Sequence, residues 1–271
     1  MARRIAVGVM TVFAGLGVVA CGGSPDYAPR AATSGARTLS QRHSGYVSDL
    51  AAWREFLSCW QRGERSSVDG PATSPDLTQA SLSLLQPPTP ETQSAADALA
   101  HLQRVLGYAL PLSYRDFVRT YHPATVPGAD VVGFYHPSHV KRMADVEPWY
   151  VEVASAHAID STNAEYHVYG VAQDDSTGRT RYLADALVVG KYGTNTTDFI
   201  VLYPQSLTAD GEMEAALIYP AGEFRAPSFA ELMRQLSYLQ TRHVDDMPPY
   251  AQTALVGTCA AKLVLRDVWW K

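Results

Sequence analysis

At 271 residues, 46% hydrophobic and 18% charged, the chain has the composition of a globular protein with enough apolar content for one sizeable core. Its formal net charge of −5 excludes the basic balance that binding to a phosphate backbone demands, so nucleic acid is not an expected partner. An acidic balance suits capture of a basic protein instead.

The chain opens MARRIAVGVMTVFAGLGVVACGGS. Arg3 and Arg4 form a positive n-region, and Ile5 to Ala20 an uncharged apolar run. Val18-Val19-Ala20-Cys21 resembles a bacterial lipobox, with Val18 where Leu is commoner. Small residues suit the cleavage, and the Cys21 thiol is the nucleophile that takes the lipid. The alternative, an uncleaved anchor, needs about 20 apolar residues, more than this run supplies. Residues 1–20 therefore read as a lipoprotein signal peptide and Cys21 as the lipid attachment site. Loss of Arg3 and Arg4 takes the mature charge to about −7. The rest of the chain is expected in the cell envelope, outside the cytoplasm, facing the periplasm or the cell surface and held to a membrane by its lipid. Residues 21–44, rich in Gly, Ser, Ala and Pro without an apolar period, read as a flexible tether.

Residues 45–88 read as a helical N-terminal extension. Within Val47 to Arg62, Leu50, Trp53, Leu57 and Trp60 recur at helical spacing. Gly70, Pro71 and Pro75 mark a loop, and a short apolar run from Leu77 to Leu85 ends in the Pro-rich QPPTP, which bounds a main domain over 89–242. A helix is predicted from Pro90 to Leu106, with Thr89 as cap, Gly107 as C-terminal cap and a buried stripe of Leu99, Leu102, Val105 and Leu106. Leu110-Pro111 then opens a second helix. Pro is harmless at a helix start, and Tyr114, Phe117, Val118 and Tyr121 fall on one face, which Pro123 terminates.

The period then changes. Val131–Tyr135, Glu165–Gly170, Ala186–Tyr192, Thr197–Tyr203 and Met213–Tyr219 are β-rich runs, the last two joined through Asp210-Gly211, a hairpin signal. Between the first two, Ser138–Val146 reads as a short helix and Trp149–Ala156 as either strand or helix. Ser228 and Glu231 form an S-x-x-E capping box ahead of Leu232, Met233, Leu236 and Leu239. Residues 243–271 read as a helical C-terminal extension, centred on Pro248–Val268. The expected fold class is α+β: a single mixed, largely antiparallel sheet of five or six strands packed with helices, with helical extensions at both ends. With Cys21 lipidated, Cys59 and Cys259 remain, and in an oxidising compartment an even pair implies a disulfide. Two unpaired buried thiols are the alternative.

The order of these pieces resembles the SUKH superfamily, named partly for a yeast regulator of cell-wall synthesis and abundant among bacterial toxin-immunity proteins. Leu110-Pro111-x-x-Tyr114-x-x-Phe117 resembles its Leu-Pro-x-x-Tyr-x-x-Phe helix start. VVGKYGTNTTDFIVL, residues 188–202, resembles its central strand, turn and following strand, with Gly193 and Asp198 in the matching places. Pro227-Ser228-Phe229-x-x-Leu232 resembles the entry to its closing helix. The likeness spans about 90–242; His122-Pro123 stands where the family commonly has an Asn-Gly-type turn, and Asp145–Ser176 is longer than the pattern. These residues mark a scaffold: Tyr114, Phe117 and Phe229 are expected in the core, Gly193 and Asp198 in a turn.

Catalytic signals are weak. The chain has no G-x-S-x-G elbow, no H-E-x-x-H and no phosphate-binding glycine loop. His136 and His139, with Asp130 upstream, have ligand chemistry, but Pro137 between them favours a turn. Asp174-Asp175-Ser176-Thr177-Gly178 looks like a calcium-loop fragment without its later acidic ligand and reads as a turn. Nothing fixes the separation that Glu147, Glu152 and Glu165 would need for glycoside hydrolysis. Core is the expected home of Trp149 or Tyr150. Trp269 and Trp270 have three possible places: packed on the domain, on a partner, or at a membrane interface. No catalytic residue, metal, cofactor or small-molecule substrate is expected. The resemblance implies a membrane-tethered, non-enzymatic lipoprotein that binds and occludes a toxin or effector as an immunity protein. The alternative is a structural or regulatory envelope lipoprotein with the same interaction domain.

Overall fold

Phe117 is fully buried, and its ring meets those of Phe134, Tyr121, Phe229 and Trp53 at centroid separations of 4.8, 5.0, 5.2 and 5.6 Å. Around it fold the residues that the computed structural model describes: 39–68, 92–121, 123, 133–192, 198–220, 222–240 and 258–270, all within one compact unit. Cys21, Gly193, the Leu77–Leu85 run, Thr89 and the QPPTP boundary lie outside them.

The described residues form an α+β fold with eight α-helices and one sheet. The helices are α1 (Leu50–Val68), α2 (Thr92–Leu106), α3 (Leu112–Tyr121), α4 (Met143–Val146), α5 (Pro148–Ala156), α6 (Asn163–Tyr166), α7 (Thr180–Leu183) and α8 (Phe229–Gln240). The strands are β1 (Gly133–Phe134), β2 (Lys141–Arg142), β3 (Leu187–Lys191), β4 (Phe199–Leu207), β5 (Met213–Tyr219) and β6 (Gly222–Ala226). Every pairing is antiparallel, in the order β1-β3-β4-β5-β6, and β2 shares the β3 edge with β1. The Asp210-Gly211 hairpin joins β4 to β5 as its sequence signal required.

Alternation along the strands gives the sheet two faces. The inner face receives α1, α3 and α8 with their aromatic cluster. Tyr114, Phe229, Trp53, Phe56 and Trp60 are all fully buried there, and Leu110 is 1% exposed. The extension's helix α1 therefore belongs to the same core as the sheet. Helix α2 buries Ala95, Leu99 and Leu102, but Val105 is 69% exposed: the stripe is narrower than predicted, because only one side of α2 meets the body.

Polar bonds seat the helix starts. Ser113, in the first turn of α3, donates its N–H at 2.9 Å and its hydroxyl to the carboxylate of Glu212 in the β4–β5 turn. Buried Asp116 accepts from Tyr46 at 2.8 Å and Ser48 at 2.6 Å. Ser228 Oγ caps α8 by accepting the Glu231 N–H at 3.2 Å.

Four expectations change. Residues 39–44 are fold rather than tether: Leu39 is buried, and Ser44 donates its N–H and hydroxyl to Asp210 at 2.9 and 2.6 Å. Glu165–Gly170 is not a strand, because Thr162 and Glu165 form a reciprocal capping box that starts α6. Ser138–Val146 is not one helix, because Lys141–Arg142 pairs with β3 as β2 and only Met143–Val146 is α-helical; Trp149–Ala156, open between strand and helix, is helix α5. The C-terminal residues 258–270 hold only a 3-10 turn, Cys259–Lys262, followed by an extended strap. Leu263 and Leu265 are buried while Val264 is 65% exposed, a period of two that no helix has.

The strap is fastened at both ends. Cys259 is bonded to Cys59 of α1, with Cα atoms 5.5 Å apart and a sequence separation of 200. Trp270 is 3% exposed, and the Trp269 indole donates to the His43 carbonyl at 2.9 Å, stacks under the Arg42 guanidinium and meets the Tyr169 ring edge-on. Both tryptophans thus pack on the domain. Gly45, at φ +74°, lies where a Cβ would stand 2.0 Å from the Arg266 carbonyl oxygen, so the strap needs glycine there. Phe117→Ala is expected to lower the unfolding free energy by about 3–5 kcal/mol in urea denaturation, whereas Val105→Ala changes it by less than about 0.5 kcal/mol.

Candidate functional site

The outer face of the sheet sets charge and hydroxyl among apolar side chains. Register aligns Tyr203 with Glu214, Ala216 with Arg225, and Ile218 with Glu223, so these side chains share one surface. Over it lies a cover made of residues 148–183, including α5, α6 and α7.

Glu214 is fully buried and accepts hydrogen bonds from Tyr166 at 2.5 Å, from Tyr169, and from Ser206 at 3.3 Å. Arg225, also fully buried, donates from Nη1 to the Tyr166 carbonyl and lies over the Tyr166 ring, 4.3 Å from its centroid. Its Nε stands 3.5 Å from Glu223 Oε1, while Glu223 Oε2 accepts from Tyr203 at 2.6 Å. Gln173 clamps the Arg225 backbone by accepting its N–H at 2.6 Å and donating to its carbonyl at 2.8 Å.

The electrostatics follow from burial. Loss of water raises Glu214 above the usual carboxylate range against the opposing pull of Arg225 and the two tyrosines. Burial likewise pushes Glu223 up to about 7, again against Arg225 and Tyr203. Tyr166, Tyr169 and Tyr203 are raised well above their ordinary value, first by burial and then by the neighbouring carboxylates, and so remain donors. Burial, and then Arg179, Arg225 and Arg42, pull His167 down to about 4, so at neutral pH its approach to Glu214 at 3.8 Å is not an ion pair. Apart from Glu223 Oε1 and Arg225 Nε, which make no hydrogen bond, the cluster spends its donors and acceptors on itself and on the backbone of the cover. Chemically it is a polar layer that fixes the cover in place.

Beside this layer the surface opens into a groove of about 250 Å³ between α5, the 175–180 turn and strands β4 to β6. Tyr150, Tyr203, Tyr219, Ile159, Asp175 and Glu223 define its walls and floor. Helix α5 forms one bank. No residue of this helix is fully buried, although its sequence is largely apolar. Trp149 is 51% and Val153 54% exposed, as is Ile159 just beyond at 46%. Tyr150 packs partly inward and meets Phe199 edge-on.

The residues singled out in the sequence do not converge here. Leu110, Pro111, Tyr114, Phe117 and Phe229 are buried on the inner side, Ser228 is a cap, and the Asp198 carbonyl accepts the Tyr192 N–H at 3.0 Å between β3 and β4. His136 caps the Pro137–His139 turn, its Nδ1 accepting the Ser138 N–H at 3.3 Å. Asp174 Oδ1 accepts from Ser176 N–H at 2.9 Å and Oγ at 2.6 Å, closing the expected turn. Glu147 accepts from the Trp149 indole, and Glu165 caps α6. Among the described residues no three His, Cys, Asp or Glu side chains are grouped as metal ligands. The outer-face charges went unremarked in the sequence, yet a signal exists: Glu214 stands alone in the apolar run MEAALIY, and Glu223 and Arg225 alternate in GEFRA.

No family model, curated protein or solved structure matches the chain.

Glu212, buried at the start of α3, is pushed up to about 7 by burial despite its hydrogen bonds from Ser113. An unfolded glutamate titrates near 4.5, so the fold holds protons on Glu212 and Glu223 that the unfolded chain has released. The stability they contribute is fully present below about 4.5 and is lost as pH rises through about 7. His167 works the other way, but only below its ordinary value of 6.5. Between about pH 6.5 and about pH 8.5, urea denaturation should show stability falling by about 1 kcal/mol for each glutamate. Glu212→Gln should remove one share of that fall; stability that rises with pH in this window contradicts the assignment.

Proposed function

We propose that the chain is a membrane-tethered lipoprotein that binds another protein, and that it acts as an immunity protein by occluding a toxin or effector at the cell envelope. The reading joins three strands of argument. The N-terminal Arg3-Arg4, apolar run and Cys21 resemble a lipoprotein signal. The Leu110-Pro111, Gly193/Asp198 and Ser228-Phe229 blocks resemble SUKH domains, among which toxin immunity is widespread. The third is the observation that carries the reading: α5 presents Trp149 and Val153, with Ile159 beyond them, as an apolar ridge open to solvent.

An exposed tryptophan beside a groove is the type of anchor that dominates binding energy at protein interfaces. The buried Glu214 carboxylate, by contrast, is engaged in holding the cover. Binding of this kind needs no chemical step; the partner's working surface is covered stoichiometrically. A lipid anchor would keep the binder concentrated where a delivered toxin arrives, without any further contact.

The test is growth competition. Cells lacking the gene are expected to be killed by neighbours that deliver the cognate effector. The wild-type gene should restore survival, and Trp149→Glu combined with Val153→Asp should not, although the purified variant keeps its denaturation midpoint. Survival of the deletion strain equal to wild type contradicts the immunity reading.

A further inference from the structure

We propose that the groove beside α5 receives a cationic side chain, lysine or arginine, from the protein partner, whose neighbouring apolar residues rest on Trp149 and Val153. The inference rests on the protein-binding reading above and adds the chemistry that the partner must bring.

The tyrosine hydroxyls and carboxylates that line the groove are matched unevenly. Tyr203 gives its hydroxyl proton to Glu223 Oε2 at 2.6 Å, and Tyr219 gives its own to Asp175 Oδ2 at 2.7 Å. Those tyrosines therefore offer ring faces and spent hydroxyls, and the two carboxylates keep lone pairs in hand. Glu223 Oε1 is buried without a hydrogen-bond donor, its nearest charged contact being Arg225 Nε at 3.5 Å. What Glu223 Oε1 lacks is a donor.

The cations nearby do not fill that need. Arg225 is outside the lining, under Tyr166. Arg179 touches the groove, but its guanidinium is turned into the cover, where Ser161, Asn163 and Tyr182 accept from it and the Tyr166 ring lies 4.3 Å away. None of those four residues lines the groove. The carboxyl groups that face it are those of Asp175 and Glu223, beside the Tyr203 and Tyr219 rings.

Aromatic faces next to carboxylates form a receptor for an ammonium or guanidinium group, through ring quadrupole and charge-assisted hydrogen bonds together. The acidic balance of the whole chain, −5, would draw a basic surface toward it. The floor is also shaped closely. A Cβ at Gly222 would stand 2.3 Å from the Asp175 carbonyl oxygen, so the turn bearing Asp175 is pressed against the start of β6 and its carboxylate is held in place.

The experiment titrates the full chain in detergent with three dipeptides: acetyl-leucyl-arginine amide, its uncharged citrulline analogue, and acetyl-leucyl-glutamate amide. The signal followed is the fluorine resonance of 5-fluorotryptophan at Trp149, assigned by its loss in Trp149→Phe. The arginine peptide is expected to bind about tenfold more tightly than the citrulline peptide, with the glutamate peptide weakest. Asp175→Asn and Glu223→Gln should each remove most of that preference; Asp175 lies on an exposed turn, so its variant tests the site even if Glu223→Gln folds poorly. Equal binding of arginine and citrulline peptides, or a preference that survives Asp175→Asn, overturns the proposal. If the preference is absent while Trp149→Glu with Val153→Asp still abolishes protection, the groove assignment fails and the immunity reading stands. If the preference holds while the deletion strain survives competition, the immunity reading fails and the groove stands.

Discussion

The arrangement of the outer face depends on one buried guanidinium. Arg225 has no exposed surface, and a charge placed there alone would be strongly destabilising. Glu214 and Glu223 answer it from β5 and β6, and Tyr166, Tyr169 and Tyr203 complete the carboxylates' hydrogen bonding. Two of those partners, Tyr166 and Tyr169, together with the accepting carbonyls of Tyr166 and Asp174, come from the cover. The cover therefore has one position in which the charge is compensated. The groove, whose far bank is α5 and whose near wall is β4 to β6, exists because of that position.

The inner face is held by different means. There the aromatic rings of α1, α3, β1 and α8 interlock, and area removed from water is the main stabilising term. Helix α8 is buried on every side from Phe229 to Ser237, which an amphipathic pattern alone does not explain. Its polar residues are matched locally. Glu231 accepts from Arg234 and Gln235 at 2.6 Å each, and Arg234 Nε donates to the Ala260 carbonyl at 3.1 Å. The C-terminal strap lies over this polar side, and the Cys59–Cys259 bond ties it to α1. A crosslink across so long a loop restricts the unfolded chain more than a short one.

What was legible in the sequence was the inner half of the molecule. The Leu110-Pro111 start, the Tyr114/Phe117/Tyr121 face, the β3–β4–β5 run and the Ser228 cap are local patterns, and each became the expected element. The α6 capping box was present as T-x-x-E and lost to the β-rich look of EYHVYG. The strap was misread because AAKLVL has helix-forming residues, whereas burial alternates along it. Glu214 and Arg225 could not be placed from spacing alone: their compensation depends on a strand register and on a cover segment with no regular period. The exposed ridge of α5 was hidden for a related reason, since a Trp in an apolar helix ordinarily turns inward and only the packing shows that Trp149 does not.

The central claim is that the buried charge layer holds the cover, and with it the groove, on a core that is stable without it. Amide hydrogen exchange of Glu214→Ala in the full chain tests this directly. Protection should be lost across residues 163–183 while 50–62, 112–121 and 229–237 exchange as slowly as in the wild type. Loss of protection spread evenly over all these segments, or none in the cover, would contradict it.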